Sequence, residues 1–135
     1  MLKSKGSVQQ HADPVIGIVN CSQVKEDKEM KNILITGTSG FLGSRIFEYF
    51  RQCPELSVLA PSHKELDITS LDSCRKWFSI NQADTVIHLA AISDIGESER
   101  NPELSQRVNV LGAENLARCA KEWKITGHFL FASAD

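Results

Sequence analysis

The 135-residue sequence has no apolar stretch approaching the ~20 residues that a membrane-spanning helix needs. Val15-Ile16-Gly17-Ile18-Val19, near its start, is too short and too poorly flanked for a signal peptide. Nor is there an excess of one charge. Fifteen Lys and Arg against 17 Asp and Glu leave a formal net charge of −2, which argues against a nucleic-acid-binding surface. The four cysteines, Cys21, Cys53, Cys74 and Cys119, show neither metal nor redox spacing. Three fall inside apolar segments, the pattern of buried, reduced thiols in a cytoplasmic protein, and no metal site is expected. Internal repeats and low-complexity segments are also missing. A hydrophobic fraction of 41% suits one folded domain of ordinary size.

What is present is an alternation of apolar runs and helical patterns. Asn32-Ile33-Leu34-Ile35 feeds directly into Thr36-Gly37-Thr38-Ser39-Gly40-Phe41-Leu42-Gly43, and a helical pattern follows at once. Three glycines at three-residue spacing let a backbone turn tightly, approach a pyrophosphate and pack against a sheet. The helix start then offers free N–H groups and the positive end of a dipole to phosphates. The spacing is GxxGxxG, which alone is weak and also fits a glycine-rich turn in any α/β protein. The flanks strengthen it, with a strand before, a helix after and a second strand about 30 residues from the first. A P-loop is excluded because no Gly-Lys-Ser/Thr follows.

Residues 1–29 read as a polar, flexible leader, or the product of an early start codon, in which Val15–Val19 could add a short strand. Residues 30–135 read as the domain. Its expected elements are a strand at Lys31–Thr36 and a helix at Phe41–Cys53 with Leu42, Ile46, Tyr49 and Phe50 on its core face. A strand at Leu56–Ala60 and an abbreviated one at Leu66-Asp67-Ile68 follow. Thr69 or Ser70 then caps a helix burying Leu71, Cys74, Trp77 and Phe78. A buried strand at Asp84–Leu89 leads to a long helix, Pro102 to Trp123, with Leu104, Val108, Leu111, Leu116 and Cys119 inward. His128–Ala132 is the last strand. This order implies an α/β, doubly wound parallel sheet of Rossmann type, cut after about five strands, with helices on both faces and ligand at the carboxyl ends of the strands.

Thr36–Gly43 resembles the glycine motif of the extended short-chain dehydrogenase/reductase group, the NAD-dependent epimerase/dehydratase family. Val86-Ile87-His88-Leu89-Ala90-Ala91 is similar to its "hxHxAA" segment. Asn101-Pro102 with Val108-Asn109-Val110-Leu111-Gly112-Ala113-Glu114-Asn115-Leu116 is similar to its "NP…NVxGxxNL" helix. Glu65-Leu66-Asp67-Ile68-Thr69 and Ala91-Ile92-Ser93-Asp94 look most like the dTDP-4-dehydrorhamnose reductase branch. The resemblance runs from about Lys31 to Asp135 and covers the cofactor half only. It implies an oxidoreductase whose full-length form transfers hydride to a 4-keto nucleotide sugar, with an epimerase or dehydratase, a regulatory binding module or an inactive remnant as alternatives. A nucleotide sugar would be a ligand of the full-length protein only; no nucleic-acid or membrane partner is expected.

Cofactor-site candidates follow from the motifs and the resemblance together: Gly37, Ser39, Gly40, Phe41, Leu42, Gly43, Ser62, His63, Lys64, Asp67, Ile68, Leu89, Ala90 and Ala91. An NAD site usually carries an acid at the end of the second strand. This chain has Ala60-Pro61-Ser62-His63-Lys64 there, without a carboxylate, which favours NADP(H) while leaving NAD(H) possible. The plain alternative is that these are solvated loop residues. The resemblance assigns Asp67 and Ile68 to the adenine; Asp67 otherwise reads as a turn acid. His88 ends a buried strand, where a structural role is preferred to catalysis, and Asn109 reads as a hydrogen-bonding residue that fixes geometry.

The family's proton-transfer group, a Tyr-x-x-x-Lys with a partner Ser/Thr, is not found in these residues. The one tyrosine, Tyr49, has Cys53 four residues on. The Ser/Thr position falls on Ala134, with Ser133 a weak substitute one register away. No catalytic residue is therefore assigned, and the chain alone is expected to be inactive.

Overall fold

The computed structural model describes residues 29–132. The leader's Val15–Val19 segment, Ser133 and Ala134 lie outside them. Four strands, β1 (Lys31–Thr36), β2 (Leu56–Leu59), β3 (Thr85–His88) and β4 (Phe129–Phe131), form one parallel sheet in the order β2-β1-β3-β4. Strand β1 is central because it is apolar on both faces. Ile33 and Ile35 join Ile87 on one side, covered by Ile46 and Phe50 of helix α1 (Phe41–Phe50). Leu34 and Val86 point to the other side. There they meet Cys74, Trp77 and Phe78 of α2 (Leu71–Ile80) and Leu116 and Cys119 of α5 (Gly112–Glu122). Near-continuous apolar strands with helices on both faces are what a parallel sheet requires. Among the described residues, no helix is long and apolar enough to cross a membrane.

The lower ends of the strands are tied by Asp84. Its Oδ2 accepts from the Asn32 N–H at 2.8 Å, and its carbonyl accepts from the Gly127 N–H at 2.7 Å. Ser70 caps α2 by accepting from the Ser73 N–H at 3.2 Å.

Several expectations need correction. Leu66-Asp67-Ile68 forms no strand, so four strands stand where about five were expected. Its backbone groups serve the helices instead. The Asp67 N–H donates to Ser73 Oγ at 3.1 Å, and the Ile68 carbonyl accepts from Asn115 Nδ2 at 2.8 Å. Leu66 and Ile68 are nevertheless buried. Helix α1 ends at Phe50 and presents only part of the expected face. Gly43 is its buried residue, whereas Leu42 and Tyr49 are exposed. Ile46 and Phe50 do face the sheet as expected, on the same side as Gly43, whose contact through a bare Cα has no apolar side chain to announce it. Cys74 and Cys119 are free and buried, as expected; Cys53 is buried but is not a free thiol.

The long helix is interrupted. It runs as α4 (Pro102–Gln106), a π-helical turn (Arg107–Leu111) and α5, preceded by a short helix α3 (Ile95–Arg100) capped by Asp94. The π turn adds a residue to one turn and shifts the face that follows. Leu104, before the π turn, and Leu111, at its end, are both exposed by more than a third, whereas Leu116 and Cys119 beyond it go inward.

Candidate functional site

The chain leaves β1 through Gly37, at φ 75°, a left-handed conformation that favours glycine. A Cβ there would lie 2.5 Å from the Ala90 nitrogen, so the glycine loop passes directly against the loop after β3. A Cβ on Gly43 would run into the Gly37 carbonyl. Gly40 differs. Its φ of −78° suits any residue, and a Cβ would meet only the Gly37 carbonyl oxygen, at 3.3 Å. Gly40 also stands at the N-cap of α1 and supplies no side-chain acceptor. Helices α2 and α3 have Ser70 and Asp94 in that place. The leading N–H groups of α1 therefore keep their donor capacity.

Thr36 ties the two loops together. Its Oγ1 accepts from the Leu89 and Ala90 N–H groups, each at 3.3 Å, and lies 2.7 Å from His88 Nδ1. The Thr36 hydroxyl and His88 Nδ1 share one hydrogen bond, whose direction follows the imidazole tautomer, while the Leu89 N–H is divided between the Thr36 carbonyl at 3.2 Å and Oγ1. Burial lowers the pKa of His88, in keeping with the neutral form. His88 thus has a positioning role. Further along, Asn109 grips Ile92 from both sides. Its Oδ1 accepts from the Ile92 N–H at 2.8 Å, and its Nδ2 donates to the Ile92 carbonyl at 3.0 Å.

These loops and the segment after β2 enclose a cavity of about 300 Å³. Thr36–Ser39 form one wall, Ala60–His63 with Glu65, Leu66 and Ile68 another, and Ala90 the third. Behind Ile68 sits Gly112, where a Cβ would come within 2.7 Å of Ile68 Cδ1. Of the expected residues, Gly37, Ser39, Ser62, His63, Ile68 and Ala90 line the cavity. Gly40, Phe41, Leu42, Gly43, Lys64, Asp67, Leu89 and Ala91 do not. Phe41 is 78% exposed, with the Arg45 guanidinium 4.3 Å from its ring centre. Leu89 packs with the core on the α1 side. The Asp67 carboxylate is turned to its own backbone, accepting from the Thr69 N–H at 2.9 Å and the Thr69 hydroxyl at 2.7 Å.

Glu65 adds to the expectation for Ala60–Lys64 a carboxylate just beyond that stretch, at the cavity wall. The chain makes one tight turn after Ser62, with the Glu65 and Leu66 N–H groups donating to the Ser62 carbonyl at 3.0 and 2.9 Å. That turn returns the carboxylate to the cavity wall, where Glu65 Oε2 accepts from the Ser62 N–H at 2.7 Å. Donation from the Ser62 N–H, then from its hydroxyl, lowers the pKa of Glu65. The Ser-x-x-Glu spacing of a capping box was the signal that could have located it. Tyr49 lies on the exposed side of α1, 5.5 Å from the Phe50 ring.

Residues 33–135 match the NAD dependent epimerase/dehydratase family. The chain is 30% identical over 105 residues to a GDP-6-deoxy-D-mannose reductase of Pseudomonas aeruginosa, covering 77% of this chain and 34% of that protein. It is 34% identical over 95 residues to a dTDP-4-dehydrorhamnose reductase of Mycolicibacterium smegmatis, covering 70% and 28%. Among solved structures, the protein RMD of Pseudomonas aeruginosa, complexed with NADPH, superposes with a TM-score of 0.64 at 29% identity, covering 78% of this chain and 35% of that one. The chain thus spans about a third of the length of the relatives it matches.

Proposed function

The chain belongs to the NAD dependent epimerase/dehydratase family, and from that premise we propose that residues 30–135 are the N-terminal part of an NAD(P)-binding domain. Residues 1–29 are a leader to it. The full-length activity is hydride transfer from a nicotinamide cofactor to a 4-keto nucleotide sugar, as in reductases of the dTDP-4-dehydrorhamnose branch. The observation that carries the reading is Gly40. Packing dictates Gly37 and Gly43 far more strongly than Gly40, where a Cβ would meet only the Gly37 carbonyl oxygen at 3.3 Å, and Gly40 sits at an uncapped helix start beside the cavity. A pyrophosphate approaching the Phe41, Leu42 and Gly43 N–H groups would demand a glycine there.

In this reading Gly37, Gly40 and Gly43 give the backbone its approach, while Ser39 and the first turn of α1 take the phosphates. Ile68 and Asp67 flank the adenine, and Leu89, Ala90 and Ala91 run beside the nicotinamide half. Ser62, His63 and Lys64 offer hydroxyl, imidazole and ammonium donors at the ribose end, which favours NADP(H) over NAD(H). The NADPH bound by RMD, at 29% identity, supports the same choice. The cofactor, when bound, supplies the hydride. The described residues bind and orient it, and the catalytic tyrosine and lysine are not among these 135 residues.

Fluorescence titration of the purified chain with NADPH and NADH tests the reading. Saturable binding with NADPH the tighter ligand is expected. Absence of binding to both rejects the site; equal or reversed affinity rejects the assignment of Ser62, His63 and Lys64.

A further inference from the structure

We propose that Glu65 sets how far the site prefers NADPH over NADH, by holding the Ser62 N–H that a 2′-phosphate would need. The proposal rests on the cofactor reading above. It is carried by one local arrangement: Ser62, His63 and Glu65 all line the cavity, and Glu65 Oε2 accepts from the Ser62 N–H at 2.7 Å.

Ser62 leads the segment that the chain presents after β2. Its hydroxyl is the side-chain donor nearest in sequence to the strand end, where the 2′ position of a bound dinucleotide lies in this fold. The N–H already serves the Glu65 carboxylate at 2.7 Å, and that carboxylate, its pKa held below the ordinary value chiefly by this donation, is charged at neutral pH. A dianionic 2′-phosphate must therefore displace the carboxylate from Ser62 and remain beside a like charge. A 2′-hydroxyl meets the opposite situation, since it can donate to a carboxylate acceptor. His63 and Lys64, adjacent in the same turn, attract the phosphate and oppose Glu65. Net preference is thus a balance between two cationic-capable neighbours and one carboxylate six residues after the last strand position. Glu65 is exposed, so replacing it removes no buried side chain from the core.

The test compares the intact chain with Glu65→Gln and Glu65→Ala, titrating NADPH and NADH into each. Glutamine keeps an acceptor for the Ser62 N–H but carries no charge. Expected for Glu65→Gln is NADPH binding tighter by about tenfold, with NADH affinity unchanged or weaker. Glu65→Ala should move the NADPH-to-NADH ratio in the same direction, which removes dependence on the folding of one variant. At high salt the difference between wild type and Glu65→Gln should shrink. A wild type that binds both cofactors, with ratios unchanged in both variants, overturns the role of Glu65 and leaves the cofactor site standing. A wild type that binds neither overturns the site and this inference with it.

Discussion

Thr36 and His88 are partners across the β1–β3 ladder, and their side chains meet at 2.7 Å between Thr36 Oγ1 and His88 Nδ1. The same oxygen accepts from the Leu89 and Ala90 N–H groups, so one threonine fixes both loops that flank the cavity. Thr36→Val keeps the shape and deletes the hydroxyl, leaving a buried imidazole without its partner. Urea unfolding should show a loss of about 1–3 kcal/mol, with weaker NADPH binding. Thr36→Ser should recover most of both, and a serine variant as impaired as valine would contradict the hydroxyl's role.

His88 also makes a pH prediction. Its folded pKa lies below the ordinary 6.5 because burial disfavours the imidazolium. Between those two values the unfolded chain binds more protons than the folded one, so stability rises with pH across that window. The contribution is full above pH 6.5 and is lost as pH falls from there through the depressed folded value. Denaturant midpoints of wild type and His88→Gln, measured across this range, should differ in slope, the variant being flatter. Parallel curves would place the titration elsewhere.

The glycines should separate by phenotype. Gly37→Ala meets both a positive φ and the Ala90 backbone, and should fail to fold or unfold at much lower denaturant. Gly40→Val should fold with a stability change within about 1 kcal/mol, yet lose both NADPH and NADH binding. Binding retained in Gly40→Val would remove the pyrophosphate from that helix start.

The sequence showed the strand–glycine–helix unit and both faces of the sheet because those depend on apolar periodicity and on glycine. Cys74, Trp77 and Phe78 at helical spacing are the buried residues of α2. It hid what depends on backbone bookkeeping. Nothing in Leu66-Asp67-Ile68 announces that Ser73 and Asn115 take its polar groups in place of a neighbouring strand. Nothing in Arg107–Leu111 announces a π turn, which displaces Leu111 from the inward face. The Glu65 carboxylate escaped for a similar reason, since a short turn carries it back to Ser62.

Asn115 is buried and gives Nδ2 to the Ile68 carbonyl at 2.8 Å. Asn115→Ala leaves that carbonyl with only the weak Cys74 thiol donor at 3.8 Å, at a cost of about 1–3 kcal/mol. Thermal or urea unfolding should register it. Because Ile68 lines the cavity, cofactor affinity should fall as well. Asn109→Ala, acting through Ile92 on a partly buried loop, should cost less stability.

The 135-residue chain should bind cofactor without turning it over. Proton transfer in this family needs a phenol of lowered pKa near the reacting oxygen. Tyr49 is on the exposed side of α1 and is followed four residues on by Cys53. Absorbance at the reduced nicotinamide band, followed with a 4-keto nucleotide sugar, should stay flat. Oxidation of NADPH by the purified chain would show that another proton donor serves.

The strand order has a kinetic consequence. Every ladder joins segments far apart along the chain, with Lys31 against Leu56, Ile33 against Thr85 and Val86 against Phe129. Among the described strands there is no hairpin to nucleate the sheet, so each pairing must close a long loop before it gains any stabilisation. Among the described strands the central one comes first in sequence and must wait for partners on both sides. Refolding should therefore be slow for a chain of this size, and the collapsed species that precede it should expose the apolar edges of β1 to other chains.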